Sequence, residues 1–228
     1  MNDSVGFFAS KRIKQMIKSK ADLRFYLAAD KFALGKTYKR PKFNDAIWKF
    51  QIILRKIEFY QNNCEGIIEK IILKYYKYRK YNLGLCLGFD IDPYTFGPGL
   101  RLNHFGNIVV NQGAKIGMWC DIHQGVNIGS NRNVDGKLIA PVIGNNCWIG
   151  PGAKIFGEIN IGSNVAIGAN AVVNMSFGNC KTVAGVPAKI VKESGTEKLN
   201  VAASPGSMEK FFIANPQFAK YVTFNVDM

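Results

Sequence analysis

The chain has 228 residues, of which 47% are hydrophobic and 20% charged, ordinary values for a folded globular protein. No apolar run reaches the roughly 18 residues of a transmembrane helix, and Met1–Ser10 lacks the charged-then-apolar layout of a signal peptide, so the expected location is the cytoplasm. The five cysteines (Cys64, Cys86, Cys120, Cys147, Cys180) form no Cys-x-x-Cys pair and read as reduced thiols, while two histidines, His104 and His123, are too few to help build a zinc site, so no metal is expected.

The net charge of +14 is concentrated at the start of the chain: residues 1–81 hold 19 Lys/Arg against 7 Asp/Glu. This basic part reads as helical. Segment 10–32 is an irregular helix candidate, and Pro41 separates it from the next. Segment 44–60 places Ile47, Phe50, Leu54 and Ile57 at helical spacing, with Asn44 as its expected N-cap. Segment 64–81 repeats the style, with Ile67, Ile68, Ile71, Ile72 and Tyr75 on one face. No nucleic-acid motif accompanies the lysines, so no nucleic-acid partner is expected; a solvated face is the plain reading, and an anionic polymer or the headgroups of a membrane surface are the alternatives.

At Gly84 the composition changes to glycine-rich and a six-residue period begins. Ile143, Ile149, Ile155, Ile161, Ile167 and Val173 stand at a spacing of six, and glycine follows four of them. A second series holds Val110, Ile116, Ile122 and Ile128, and an earlier pair is Phe96 and Leu102. Such a period predicts short strands joined by turns, three to a triangular coil, with the aliphatic residue pointing inward and stacking on its equivalents. Burying each one stabilises the stack by about 1.5–3 kcal/mol. The expected fold class is therefore mainly β, a parallel β-helix behind an N-terminal α-helical segment. The divisions are 1–82 (helical, basic), 83–191 (β-helix) and 192–228 (tail).

The period fails twice. Ile128 and Ile143 are 15 apart, so Ser130–Pro141 is an inserted loop; Leu102 and Val110 are eight apart, so two extra residues bulge out and His104 lies among them. Irregular segments on a rigid scaffold are where function concentrates. After Val173, the run Ala184-Gly-Val-Pro-Ala-Lys189 closes the coil. The tail ends with Phe211, Phe212, Phe218, Tyr221 and Phe224, an aromatic set expected to dock on its own chain or on a partner subunit.

The ordered set G88-F-D-I-D-P93, G97-P-G-L-R-L-N-H-F-G106, I108-V-V110, H123-Q-G-V-N-I-G129, I149-G-P-G-A-K-I-F-G157 and A184-G-V-P-A-K189 resembles the hexapeptide-repeat acyltransferases, in their serine acetyltransferase-like branch. The resemblance covers about residues 84–191. It implies a left-handed coil, an acetyl-CoA donor, and a homotrimer or dimer of trimers with active sites between neighbouring prisms. It also implies His104 as the general base on an acceptor hydroxyl, with Asp90 orienting it; the gap before Gly97 leaves Asp92 open for that part. An imidazole titrating near neutrality suits the task, since a hydroxyl is a weak nucleophile at pH 7. His123, close to one coil length further on, competes for a catalytic or acceptor-binding role. Gly129, Ser130, Gly150 and Ala169 match corner positions that contact the pantetheine arm, and Lys189 suits a CoA phosphate.

The chain departs from the serine enzymes of that branch where they hold their amino acid. Asn103 stands where they carry an aspartate before the base, and Ile139 and Ala140 where they carry an Arg-His pair. These losses point to a neutral acceptor, a hydroxyl of a capsule, exopolysaccharide or O-antigen sugar bound by Asn103 and His123, with the enzyme in the cytoplasm or at the inner face of the membrane. Serine O-acetylation in cysteine biosynthesis is the alternative; a nucleotide-sugar N-acetyltransferase and a non-catalytic scaffold rank below it, and a β-helical carbonic anhydrase would need a third histidine.

Overall fold

The computed structural model describes residues 17–224. Three helices come first: α1 (Lys20–Ala33), α2 (Ala46–Asn62) and α3 (Ile67–Leu87). Ser19 opens α1 with a capping box, its hydroxyl accepting from Asp22 N–H while the Asp22 carboxylate accepts from Ser19 N–H. The part of segment 10–32 before Ile17 lies outside the described residues. The N-cap of α2 is Asp45, not the expected Asn44, and its side chain does not cap. Its carboxylate is taken by Lys36, Tyr38 and the backbone of Lys42, which folds the connection from α1 back on itself.

Helix α3 runs through Gly84 to Leu87 and stops at Gly88, whose left-handed φ of 73° ends it. Gly84 marks a close approach, not a break: a Cβ there would lie 2.6 Å from the carbonyl oxygen of Phe89. On α2, Phe50, Leu54 and Ile57 are buried as their spacing predicts. On α3, Ile67, Ile68, Ile71 and Tyr75 face outward, and with Tyr78, Tyr81 and Leu85 they form an exposed apolar stripe along the helix.

After α3 the chain forms short strands, of two or three residues up to β14 and of four and five at the end: β1 (Phe89–Ile91), β2 (Arg101–Leu102), β3 (Ile108–Val110), β4 (Lys115–Ile116), β5 (Asp121–Ile122), β6 (Asn127–Ile128), β7 (Asn131–Arg132), β8 (Leu138–Ile139), β9 (Val142–Ile143), β10 (Trp148–Ile149), β11 (Lys154–Ile155), β12 (Asn160–Ile161), β13 (Ala166–Ile167), β14 (Val172–Val173), β15 (Thr182–Gly185) and β16 (Ala188–Lys192). Three parallel faces result, ordered β1-β3-β6-β11-β14, β4-β9-β12 and β2-β5-β10-β13-β15. The last is extended by β16, which turns back antiparallel at the Ala184–Lys189 run and closes the coil.

The registers identify the insertions. Ile143 lies beside Ile161 and Ile149 beside Ile167, one uninterrupted coil of 18 residues apart. Leu102 lies beside Ile122, and the two-residue surplus of that interval is the bulge with His104. Ile122 lies beside Ile149, and the larger surplus there leaves the prism as the antiparallel β7–β8 hairpin within Ser130–Pro141. The inward residues make one continuous core, in which the Cys120 and Cys147 thiols are stacked among the aliphatics and pushed up in pKa by burial, Cys147 to about 12.

A buried charge cluster fixes the helices to the first coil. Arg55 is fully buried on α2; its Nε donates to Asp30 Oδ2 at 2.8 Å, and its terminal nitrogens donate to the Phe96 and Gly97 carbonyls at 2.8 and 2.7 Å. Asp30 also accepts from the backbone N–H groups of Gly99 and Leu100, Glu58 lies 3.4 Å from Arg55, and the Tyr26 ring covers the guanidinium. A second core lies outside the prism, where the tail docks on its own chain. Helix α4 (Pro205–Ala214) puts Phe211 against Trp119 and Phe25, Tyr221 stacks on Phe25 at 4.1 Å, and the Tyr221 hydroxyl donates to Asp22.

Candidate active site

The ladder β2-β5-β10 builds the site. In its register Arg101 lies beside Asp121, and Asp121 beside Trp148, all pointing away from the prism axis, while Leu102, Ile122 and Ile149 point inward. One residue further along each coil stand Asn103 and His123. The Asn103 side-chain nitrogen lies 3.2 Å from His123 Nδ1, placed to donate to it when that nitrogen carries no proton. The Nε2 of the ring lies 3.7 Å from Asp121 Oδ1. Trp148 stands edge-on to His123, with 5.1 Å between ring centres.

Asp121 is buried, and its Oδ2 accepts from Arg101 Nη1 at 2.8 Å. Its Oδ1 has no hydrogen-bond partner among the described residues. Burial pushes the Asp121 carboxyl up, and Arg101 and His123 oppose it. Loss of water pulls the His123 imidazole below its ordinary 6.5, against the attraction of Asp121.

His104 follows in the two-residue bulge, exposed, with the exposed Phe105 beside it; its ring centre lies 6.1 Å from that of His123. The bulge therefore brings together three expected residues, Asn103, His104 and His123. Asp90 is exposed on β1, in register with Val109, and no hydrogen bond or ion pair among the described residues joins it to His104. Asp92, the other candidate for that part, pairs with Lys80 at 3.4 Å.

The residues expected along the donor do not converge within one chain. Gly129 and Ser130 leave β6 on one face, whereas Gly150, Ala169 and Lys189 belong to the face of β10, β13 and β16. Ala169 and Lys189 are exposed, while Gly150 is buried and a Cβ on it would lie 2.7 Å from the Ile167 carbonyl oxygen, so coil stacking alone requires glycine there. No group of three or more metal-ligating side chains occurs among the described residues.

A cleft of about 410 Å³ opens on the ladder. One wall is Arg101, Asp121, His123 and Trp148; the other is the end of α1, Phe32–Gly35, with Asn200–Ala202 of the tail. Arg101, Asp121 and Trp148 escaped the sequence reading, although the signal was there: Arg101 and Asp121 are separated by the same interval as Leu102 and Ile122, so opposite charges share one outward position on neighbouring coils.

Residues 140–174 match the family described as bacterial transferase hexapeptide (six repeats). A serine acetyltransferase of Synechococcus elongatus is 38% identical over 112 residues, 49% of this chain and 46% of that protein. One from Staphylococcus aureus is 41% identical over 109 residues, 47% of this chain and 51% of that protein. The crystal structure of Neisseria gonorrhoeae serine acetyltransferase in complex with serine superposes with a TM-score of 0.54 at 30% identity, covering 74% of this chain and 69% of that one. The fold is the left-handed β-helix of these acetyltransferases. The chain belongs to the hexapeptide-repeat transferases, in their serine acetyltransferase-like branch.

This chain spans about half the length of the curated relatives it matches. The comparisons correct one expectation, the sugar hydroxyl as acceptor: the relatives and the superposed structure are serine acetyltransferases, which favours serine. The departures at Asn103, Ile139 and Ala140, which pointed to a neutral acceptor, do not outweigh that likeness.

Proposed function

We propose that this chain is an acetyl-CoA-dependent serine O-acetyltransferase. The observation that carries the reading is the exposed imidazole of His104, held in the two-residue bulge at the position the family resemblance assigns to the base. In the reaction the serine hydroxyl oxygen attacks the thioester carbonyl while His104 takes its proton. The tetrahedral adduct then expels the thiolate of CoA, which recovers the proton from the imidazolium. Asp90, which makes no hydrogen bond or ion pair with His104 within one chain, is proposed to orient the imidazolium once the site is assembled between prisms. Ala169 and Lys189, exposed along one edge of the prism, suit a long thin donor with phosphates at its far end.

The active form is a trimer. The donor residues Gly129 and Ser130 lie on a different face from Gly150 and Ala169, an arrangement that a neighbouring prism can complete. The stripe of Ile71, Tyr75, Tyr78 and Leu85 on α3 supplies an apolar contact for a second copy. No helix among the described residues is long and apolar enough to cross a membrane; a cytoplasmic location, including the inner membrane face, is part of the same reading.

Thiol release from acetyl-CoA with L-serine as the acceptor tests the proposal. Turnover is expected with wild-type protein, with a loss of about 10²- to 10⁴-fold in kcat for His104→Ala. Absence of serine-dependent release, or an unchanged rate in the variant, removes the reading.

A further inference from the structure

We propose that Arg101 binds the carboxylate of the acceptor amino acid in the cleft of the β2-β5-β10 ladder, with Asp121 as the positioning residue that holds it there. This rests on the serine reading above. The positions where the resemblance would place a cation, Ile139 and Ala140, carry none, yet an α-carboxylate taken from water needs a fixed counter-charge. Arg101 is the guanidinium in the cleft wall.

Its geometry fits. The Arg101 side chain is 29% exposed, enough to meet a ligand, whereas that of Asp121 is 2% exposed and cannot. Arg101 spends Nη1 on Asp121 Oδ2, and its other nitrogens have no hydrogen-bond partner among the described residues. A guanidinium has five N–H donors in a planar fork, so one edge can stay on a buried carboxylate while the other accepts a second. Asp121 holds Arg101 by Oδ2, while its unpartnered Oδ1 faces the Nε2 edge of His123 at 3.7 Å, beyond hydrogen-bond distance. A buried carboxylate with an orphan oxygen is costly as a structural ornament. Between a cation and an imidazole it fixes the spacing of an anion site relative to the histidines. Trp148 walls the site beside His123, and His104 lies one ring beyond. The ligand class is a small α-amino acid with a hydroxyl side chain.

The experiment compares L-serine with L-serinamide, which replaces the carboxylate by a neutral amide, in steady-state thiol release. Wild-type protein should prefer serine. In Arg101→Gln the KM for serine should rise by about 10- to 100-fold, with little change for serinamide and none for acetyl-CoA, so the preference disappears; Arg101→Lys should restore part of it. The double variant Arg101→Gln/Asp121→Asn leaves no unpaired buried charge and should show the same pattern if the single variant folds poorly. Equal losses for serine and serinamide, or an unaltered serine KM, overturn the assignment and leave Arg101–Asp121 a structural pair. Wild-type protein that releases no thiol with serine overturns the serine reading itself, a result separate from either of those.

Discussion

His123 is shaped by opposing influences on a single ring. Lost hydration disfavours its charged form, Asp121 favours it, Arg101 and His104 disfavour it, and the loss of water wins. Its folded pKa therefore lies below the 6.5 of the unfolded chain. Between those two values the unfolded chain binds more protons, so protonation works against the fold and stability falls as the pH drops below about 6.5. At pH 7 the ring is neutral, which is the state in which Nδ1 can accept from Asn103. An NMR titration of the imidazole should give a midpoint below that of a free histidine. Asp121→Asn, which removes the one group raising it, should move the midpoint lower still; a midpoint at or above the free value would contradict the local electrostatics. The residue types at this site were legible in the sequence, but their partners were only partly so. His104 stands out because a bulge breaks the period; Asn103 follows from the family motif, and His123 from its spacing of about one coil. The Arg101–Asp121 pair needed the coil register, and the absence of an Asp90–His104 contact within one chain could not be read from a motif at all.

At the level of elements, the helices contribute through one buried cluster. Breaking a buried ion pair by removing one partner leaves the other charge uncompensated, at a cost of about 3–5 kcal/mol. Arg55→Ala strands both Asp30 and Glu58 and frees two backbone carbonyls, at Phe96 and Gly97. Urea unfolding should show a loss of that size, with Arg55→Met less severe when Asp30 is replaced by Asn at the same time. A variant within about 1 kcal/mol of wild type, well short of that cost, would mean that the helices are docked by α2 packing alone. None of this was visible beforehand. Periodicity records which side chains point inward along one element, and it predicted α2 and the coil strands accordingly. Asp30 meets Gly99 and Leu100 across about seventy positions of chain, and such a contact leaves no periodic mark. The exposed Ile71 and Tyr75 show the converse: an apolar helical face is legible, but what covers it is not.

At the scale of the whole molecule, the proposed trimer has a direct readout. Light scattering coupled to size exclusion should give three times the 25.3 kDa chain mass, or six times if trimers pair. Replacing Ile71 and Tyr78 by glutamate should lower that mass if the α3 stripe is an interface between copies; a monomeric wild type would argue against completion of the donor site by a neighbour. The prism itself was the most legible part, because inward stacking repeats one demand every six residues and the insertions stand out as failures of that arithmetic. That arithmetic also works as a ruler for rearrangement. Since Ile149 meets Ile167 one full coil away, a duplicated stretch of eighteen residues can enter the uninterrupted lower coils as a new storey. A stretch of six would instead turn every later strand onto the next face. Length can drift in this architecture only in whole storeys, so any shorter insertion must leave the prism as a loop, as the β7–β8 hairpin does.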